Sequence, residues 1–388
     1  MILESILFTL LVLTVFLLIF FVFLDKQVSK KLGGKALIFI SILFIYFSFI
    51  FKPESFIRWD LIEHFKVLAN MRSGGWEYAT QESQYADLFV YNTFAYIISL
   101  LPTSSQNLLS TIPLIIDFAI VAYIYKQIFE KYLPDANGKS RILSVLLWLF
   151  TFGIKLAITG IRCSLAVSIA TLAIYLELIQ KKKKILPILL YLIAMFIHNF
   201  ALVVISVRLL TMLKKPILIM ASSLIVSLTL EPLSRLIVTN VNNQYIAFSF
   251  RRILETVEKM SFTSALQSFN GATLLVYICF ITIAIYLFVI STKLKQNNAD
   301  GSYCKIVANF TATVGAVAIG LSFNYLYLER FMYLMSYALL MITPIHNNNK
   351  IGIKKENIFI IPIALFVFFF NDIYTFMVNY VGNYFLSF

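Results

Sequence analysis

A chain of 388 residues with 60% hydrophobic and only 13% charged residues is too apolar for a soluble domain, which averages about 25% charged. Its apolar content suffices for roughly ten to twelve spans of ~20 residues, which excludes a soluble enzyme, a disordered scaffold and a β-barrel of weakly alternating strands. On a soluble chain the formal net charge of +13 would suggest nucleic acid; here it must be divided between two sides of a membrane.

Charge-poor apolar runs predict spans at about 3–24, 36–51, 107–126, 142–158, 163–180, 216–234, 271–291, 306–323, 331–345 and 357–377. The first has no basic n-region and no small-x-small cleavage site, so it reads as a span and not as a signal peptide. Two stretches are irregular. Residues 88–101 are apolar but short, which predicts a juxtamembrane or re-entrant helix. Residues 185–213 are too long for one span and are interrupted by His198-Asn199, which predicts a helical hairpin. The expected fold is therefore all-α and polytopic, with about ten spanning helices, a hairpin and a juxtamembrane helix, in a single transmembrane domain over 1–388.

Six short loops, 25–35, 126–141, 181–184, 208–215, 293–305 and 350–355, carry 21 of the 32 Lys and Arg. All six face the cytoplasm under the positive-inside rule if the two irregular stretches leave the number of crossings unchanged. The alternative is that both are plain spans and one loop breaks the rule. In the first arrangement the outer face holds loops at 52–87 and 238–270, and the hairpin carries His198 at its outer tip. Cys163, Cys279 and Cys304 are not spaced as a disulfide or metal framework and read as packing thiols.

Charge in or beside a span costs roughly 2.5–3.5 kcal/mol at mid-depth, so such residues are where function is sought. Lys155 and Arg162 flank the turn between two spans, and Arg330 opens a late one beside Glu329. Arg251 and Arg252 lie in the second outer loop. Each either snorkels or is solvated, or contributes to a cationic site for phosphate, which the planar fork of arginine suits. His198, Asp60 and Glu329 are the candidate acid–base groups. Among the outer aromatics, Trp59, Tyr85 and Tyr333 offer faces or hydroxyls to a sugar, or else belong to an interfacial belt. No P-loop, His-Glu-x-x-His, Gly-x-Ser-x-Gly or outer Asp-x-Asp is present, so ATP hydrolysis, zinc proteolysis and serine hydrolysis have no support.

The run Thr159-Gly-Ile-Arg162-Cys-Ser-Leu-Ala166, an apolar span, the lysines at 181–184 and then Phe196-Ile-His198-Asn-Phe-Ala201 resembles the EpsG-like and Wzy-type polysaccharide polymerases. Trp59-Asp60 with Tyr85 to Leu101, and Glu329-Arg330-Phe331 with Tyr333, are similar to further family motifs. The sequence departs from the pattern at Cys163, where Gln is usual, and lacks an acidic-Pro pair before the short helix. The resemblance implies an O-antigen or surface-polysaccharide polymerase of the bacterial cytoplasmic (inner) membrane, active at its outer, periplasmic face. Donor and acceptor would both be undecaprenyl-pyrophosphate-linked oligosaccharides. Arg162, Arg330, Arg251, Arg252 and Lys155 would carry the pyrophosphate charge, with no cofactor and no metal. A chain-length regulator is a possible further partner. The competing readings are a lipid-linked oligosaccharide flippase, which would place charges between repeated halves at mid-bilayer, and another lipid-carrier glycosyltransferase such as an O-antigen ligase.

Overall fold

The computed structural model describes residues 29–51, 60–83, 86–182, 185–240, 254, 271–296, 302–347 and 355–373. All regular elements among them are helical. In chain order the principal helices are α1 (Leu32–Ile50), α2 (Asp60–Glu77), α3 (Phe89–Ser99), α4 (Leu108–Gln127), α5 (Gly138–Phe152), α6 (Ile154–Thr159) and α7 (Ile161–Ile174). They continue as α8 (Ile185–Ile197), α9 (Ala201–Leu210), α10 (Pro216–Asn240), α11 (Gly271–Gln296), α12 (Ser302–Gly320), α13 (Tyr325–Asn347) and α14 (Lys355–Val367).

Five helical stretches are long and apolar enough to cross a membrane: Leu32–Ile50, Thr103–Tyr132, Ile161–Ile179, Leu274–Lys295 and Ser302–Phe323. A sixth arises if the two halves of α10, bent by 51° at a break before Pro232, form one span. Proline causes this bend because its ring cannot donate to the preceding turn and clashes with it. The chain is thus a multi-helix membrane protein. The expected span 3–24 and most of loop 238–270 lie outside the described residues.

Three local differences from the sequence reading bear on the site. Within 52–87, residues 60–77 are helical, with a break at Gly75 (φ 64°, ψ −155°). The stretch 142–158 is broken at Gly153, which adopts φ 69° and ψ 69°, a left-handed conformation that glycine takes without a Cβ clash and that commonly ends helices. Finally, α13 starts six residues before the expected 331, so Glu329 and Arg330 are helical. The short stretch 88–101 does contain a helix of 11 residues, α3. The apolar run 185–213 does break at His198, between α8 and α9.

Aromatic packing anchors the centre. Trp148 of α5 is fully buried, edge-on to Phe118 of α4 with ring centroids 5.5 Å apart and against Phe152 at 4.8 Å. Phe152 meets Tyr333 of α13 at 5.3 Å. The Tyr337 hydroxyl donates to Ser168 Oγ at 2.9 Å, tying α13 to α7. Helix α12 is rich in small residues (Thr-Ala-Thr-Val-Gly-Ala-Val-Ala-Ile-Gly, 311–320), which lets membrane helices approach closely. A Cβ on Gly315 would lie 2.7 Å from the Phe288 backbone nitrogen of α11, a group that cannot swing aside. Gly315→Leu is therefore expected to destabilise the protein by about 1–3 kcal/mol, as overpacking does. Thermal unfolding of the detergent-solubilised protein measures this, and an unchanged midpoint would refute the close packing.

Candidate functional site

Four separate segments converge on one cavity of about 130 Å³ lined by Asp60, His64, Gly160, Arg162, Cys163, His198, Leu326, Glu329, Arg330 and Tyr333. Asp60 and His64 lie one turn apart at the start of α2, so they share a helix face. Gly160 precedes α7, which puts Arg162 and Cys163 in its first turn. His198 comes from the break between α8 and α9. On α13, residues 326, 329, 330 and 333 follow the i, i+3, i+4, i+7 pattern of a single helix face.

Of the residues singled out from sequence, Asp60, Arg162, His198, Glu329, Arg330 and Tyr333 therefore line one cavity. Lys155 is not among its lining residues. Its backbone N–H donates to Asp372 Oδ1 at 2.7 Å, and its charge lies within electrostatic reach of Glu329. Trp59, Tyr85, Arg251 and Arg252 lie outside the described residues.

The electrostatics around the two histidines are specific. His64 is 3% exposed, and its Nδ1 shares a 3.2 Å hydrogen bond with the Tyr91 hydroxyl of α3. The Arg162 guanidinium sits over the Tyr91 ring, 5.5 Å from its centroid, within cation–π range. Burial, with the Arg162 charge second, pushes the His64 imidazole down to a pKa of about 3. His198 is also held well below its ordinary value, by burial first and then by the charges of Arg330 and Arg162. Both rings are neutral at physiological pH. His198 Nδ1 accepts the Phe200 backbone N–H at 3.0 Å. An imidazole with an accepting Nδ1 carries its proton on Nε2, so His198 is suited to donate a hydrogen bond to an oxygen and not to take a proton.

That leaves the two carboxylates as proton acceptors. Asp60 is exposed. Glu329 is half-buried; its Oε1 accepts from the Tyr325 hydroxyl at 3.3 Å, and it lies in the field of Lys155 and Arg330. The Tyr333 ring packs on Phe152, so what it offers the cavity is its hydroxyl, which has no hydrogen-bond partner among the described residues. Among those residues the ion pairs are Lys66–Glu63, Lys126–Glu130 and Arg208–Glu177, and Arg330 takes part in none of them. Among them also, no cluster of three or more His, Cys, Asp or Glu side chains is placed to hold a metal ion. The cavity thus joins two arginines, two neutral imidazoles and two carboxylates. It suits an anionic ligand held beside a group that must lose a proton.

His64 and Tyr91 were not selected as site residues from sequence. The Asp60/His64 spacing is legible only once 60–77 is recognised as helix. Tyr91 enters through packing of α3 on α2, which no local pattern reveals.

Fold and site together define a helical membrane protein with an ionisable cavity lined from helix ends and helix breaks. The chain belongs to the EpsG family, whose model matches residues 62–386. Neither a curated protein nor a solved structure matches it. The family match begins within α2 and covers every cavity residue except Asp60, which lies two positions before it.

A histidine whose folded pKa lies below its unfolded value makes stability pH-dependent. Between pH 6.5 and about 3 the unfolded chain binds a proton that folded His64 refuses. Stability should therefore fall as pH falls through that window and be indifferent to His64 above it. His64→Gln should flatten the dependence between pH 6.5 and 4 in a thermal-unfolding series. An identical slope in the variant would show that His64 is not held neutral.

Proposed function

We propose that this protein is a polysaccharide polymerase that joins undecaprenyl-pyrophosphate-linked oligosaccharide repeat units at the outer, periplasmic face of the bacterial cytoplasmic membrane. Membership of the EpsG family supports a membrane polysaccharide polymerase-like function. The observation that carries the finer reading is the meeting of Arg162 and Arg330 with Asp60, Glu329 and His198 around one cavity. In this reading about ten spans, with the 185–213 hairpin reaching the outer side, put the six lysine-rich loops inside and the cavity outside, as the positive-inside rule favours.

The reaction is a displacement at the anomeric carbon of the donor. The acceptor hydroxyl forms the new glycosidic C–O bond while the sugar–phosphate C–O bond breaks, and the electron pair leaves with the lipid pyrophosphate. Charge grows on the leaving phosphate oxygens, where preorganised cationic donors are most effective. Arg162 and Arg330 are assigned that role, with His198 Nε2–H as a neutral donor. Arg251, Arg252 and Lys155 are supplementary sources of positive charge. The acceptor proton passes to Glu329, a carboxylate partly withdrawn from water and so suited to general-base catalysis, or to the exposed Asp60. Trp59, Tyr85 and Tyr333 are assigned to the sugars.

Reconstitution with a purified lipid-linked repeat should yield polymer. Arg162→Ala and Arg330→Ala should each lower the polymerisation rate by about 10²–10³-fold, the loss typical of removing one donor to developing charge. His198→Ala should also suppress long chains. Lysine at 162 or 330 should restore only part of the rate, because the bidentate fork is lost. Normal polymer ladders from both alanine variants at normal protein levels would sink the phosphate site. Translocation of the repeat without new glycosidic bonds would instead identify a flippase, and transfer to a non-polymer acceptor a ligase.

A further inference from the structure

A second cavity lies beyond the other end of α7 from the first, at the π-helical turn Tyr175–Ile179 that continues this helix. Fifteen residues separate Arg162 from Glu177, roughly 22 Å along a helix at 1.5 Å per residue. This cavity is about 460 Å³ and is lined by Arg208, Lys214, Lys295, Lys305 and Asn309 together with apolar Leu178, Met212 and Ile306. It is larger than the first and mainly apolar, with a cationic rim.

The charges have a definite arrangement. Arg208 is neutralised by Glu177, with Nε to Oε2 at 2.9 Å and Nη2 to Oε1 at 2.6 Å. The three lysines come from three different segments. Lys214 sits between α9 and α10 with φ +54°, Lys295 near the end of α11, and Lys305 in the first turn of α12. The Lys295 ammonium donates to the Lys214 carbonyl at 2.9 Å and to Asn309 Oδ1 at 3.4 Å. Asn309 Nδ2 in turn donates to the Thr211 carbonyl at 2.8 Å. Lys295 is therefore positioned by hydrogen bonds, and no Asp or Glu lines the cavity. Three like charges held around an apolar floor repel one another, and an anion among them offsets that cost.

Next to this cationic rim the surface turns apolar. Met212 is 66% exposed and Ile217 70%, flanking Lys214. A free phosphate has no use for such a surface, but acyl chains do. Basic pockets between membrane helices are suited to phospholipid head groups. We propose that this cavity binds the head group of an anionic phospholipid, with Lys214, Lys295 and Lys305 on its phosphate and the lipid tails along the apolar surface beside α10. The proposal stands apart from the polymerase reading, since it uses none of the residues of the first cavity.

The test uses the full-length protein in a neutral detergent, titrated with short-chain phosphatidylglycerol, short-chain phosphatidylcholine or inorganic phosphate, and followed by thermal unfolding. Phosphatidylglycerol should raise the unfolding temperature saturably, and the other two should not. Combined Lys214→Gln, Lys295→Gln and Lys305→Gln should weaken the apparent affinity at least tenfold. Lys126→Gln, an exposed lysine on another helix, should leave it unchanged. Should the triple variant fail to fold, the single exposed Lys305→Gln should still weaken binding about threefold. Unaltered affinity in the lysine variants, an equal response to phosphatidylcholine, or a full response to inorganic phosphate would each overturn the proposal.

Discussion

The cost of placing charge in an apolar environment organises this molecule. A chain that is 60% hydrophobic buries its helices in one another and in lipid, and it can hold ionisable groups economically only where helices end. Helix α7 shows the consequence. Its first turn carries Arg162 into one cavity, its middle is buried, and the π-helical turn Tyr175–Ile179 that continues it carries Glu177, paired with Arg208, beside the other. The middle admits polar groups as hydroxyls, such as Ser168, which accepts a hydrogen bond from Tyr337. Asp117, fully buried in mid-α4, departs from this economy.

The same cost shapes the chemistry inside the first cavity. Two arginines stand near two imidazoles, and the imidazoles yield: burial and the arginine charges hold both neutral. A neutral histidine with an accepting Nδ1 can donate from Nε2, so cationic, neutral-donor and carboxylate functions are separated among different residues. Tyr91 connects two of them by bonding His64 through its hydroxyl and receiving Arg162 on its ring face. Such an arrangement needs little reorganisation when an anion enters, which is what makes electrostatic stabilisation effective.

Much of the site was legible from single residues, because an arginine or a histidine in an apolar run is expensive enough to stand out. Arg162, His198 and Arg330 are of this kind. Glu329 and Tyr333, also singled out, share the helix face of Arg330, and the helix extends six residues further back than the expected span. His64 was not distinguishable from its loop neighbours, because 52–87 has too little apolar periodicity to announce α2. The kink at Gly153 was equally silent, since one glycine between apolar segments does not reveal its dihedral angles. Lys155 is a different case. Its charge near a span end stands out in the sequence, and in the fold it does not line the cavity but acts electrostatically on Glu329 and Asp372.

The amino-acid sequence by itself determined that the chain is helical and membrane-embedded, and where most of its costly charges lie, because hydropathy and charge are local properties summed along the chain. Only the tertiary structure decided which of those charges meet. Asp60 and Glu329 are 269 positions apart and line the same cavity, and the three lysines of the second cavity come from three segments. Such encounters are set by how helices pack side by side, and packing depends on the fit of surfaces far apart in sequence. The net charge of +13 shows the division clearly: composition supplies the excess, and the fold gathers part of it into the second cavity while balancing two arginines against two carboxylates in the first.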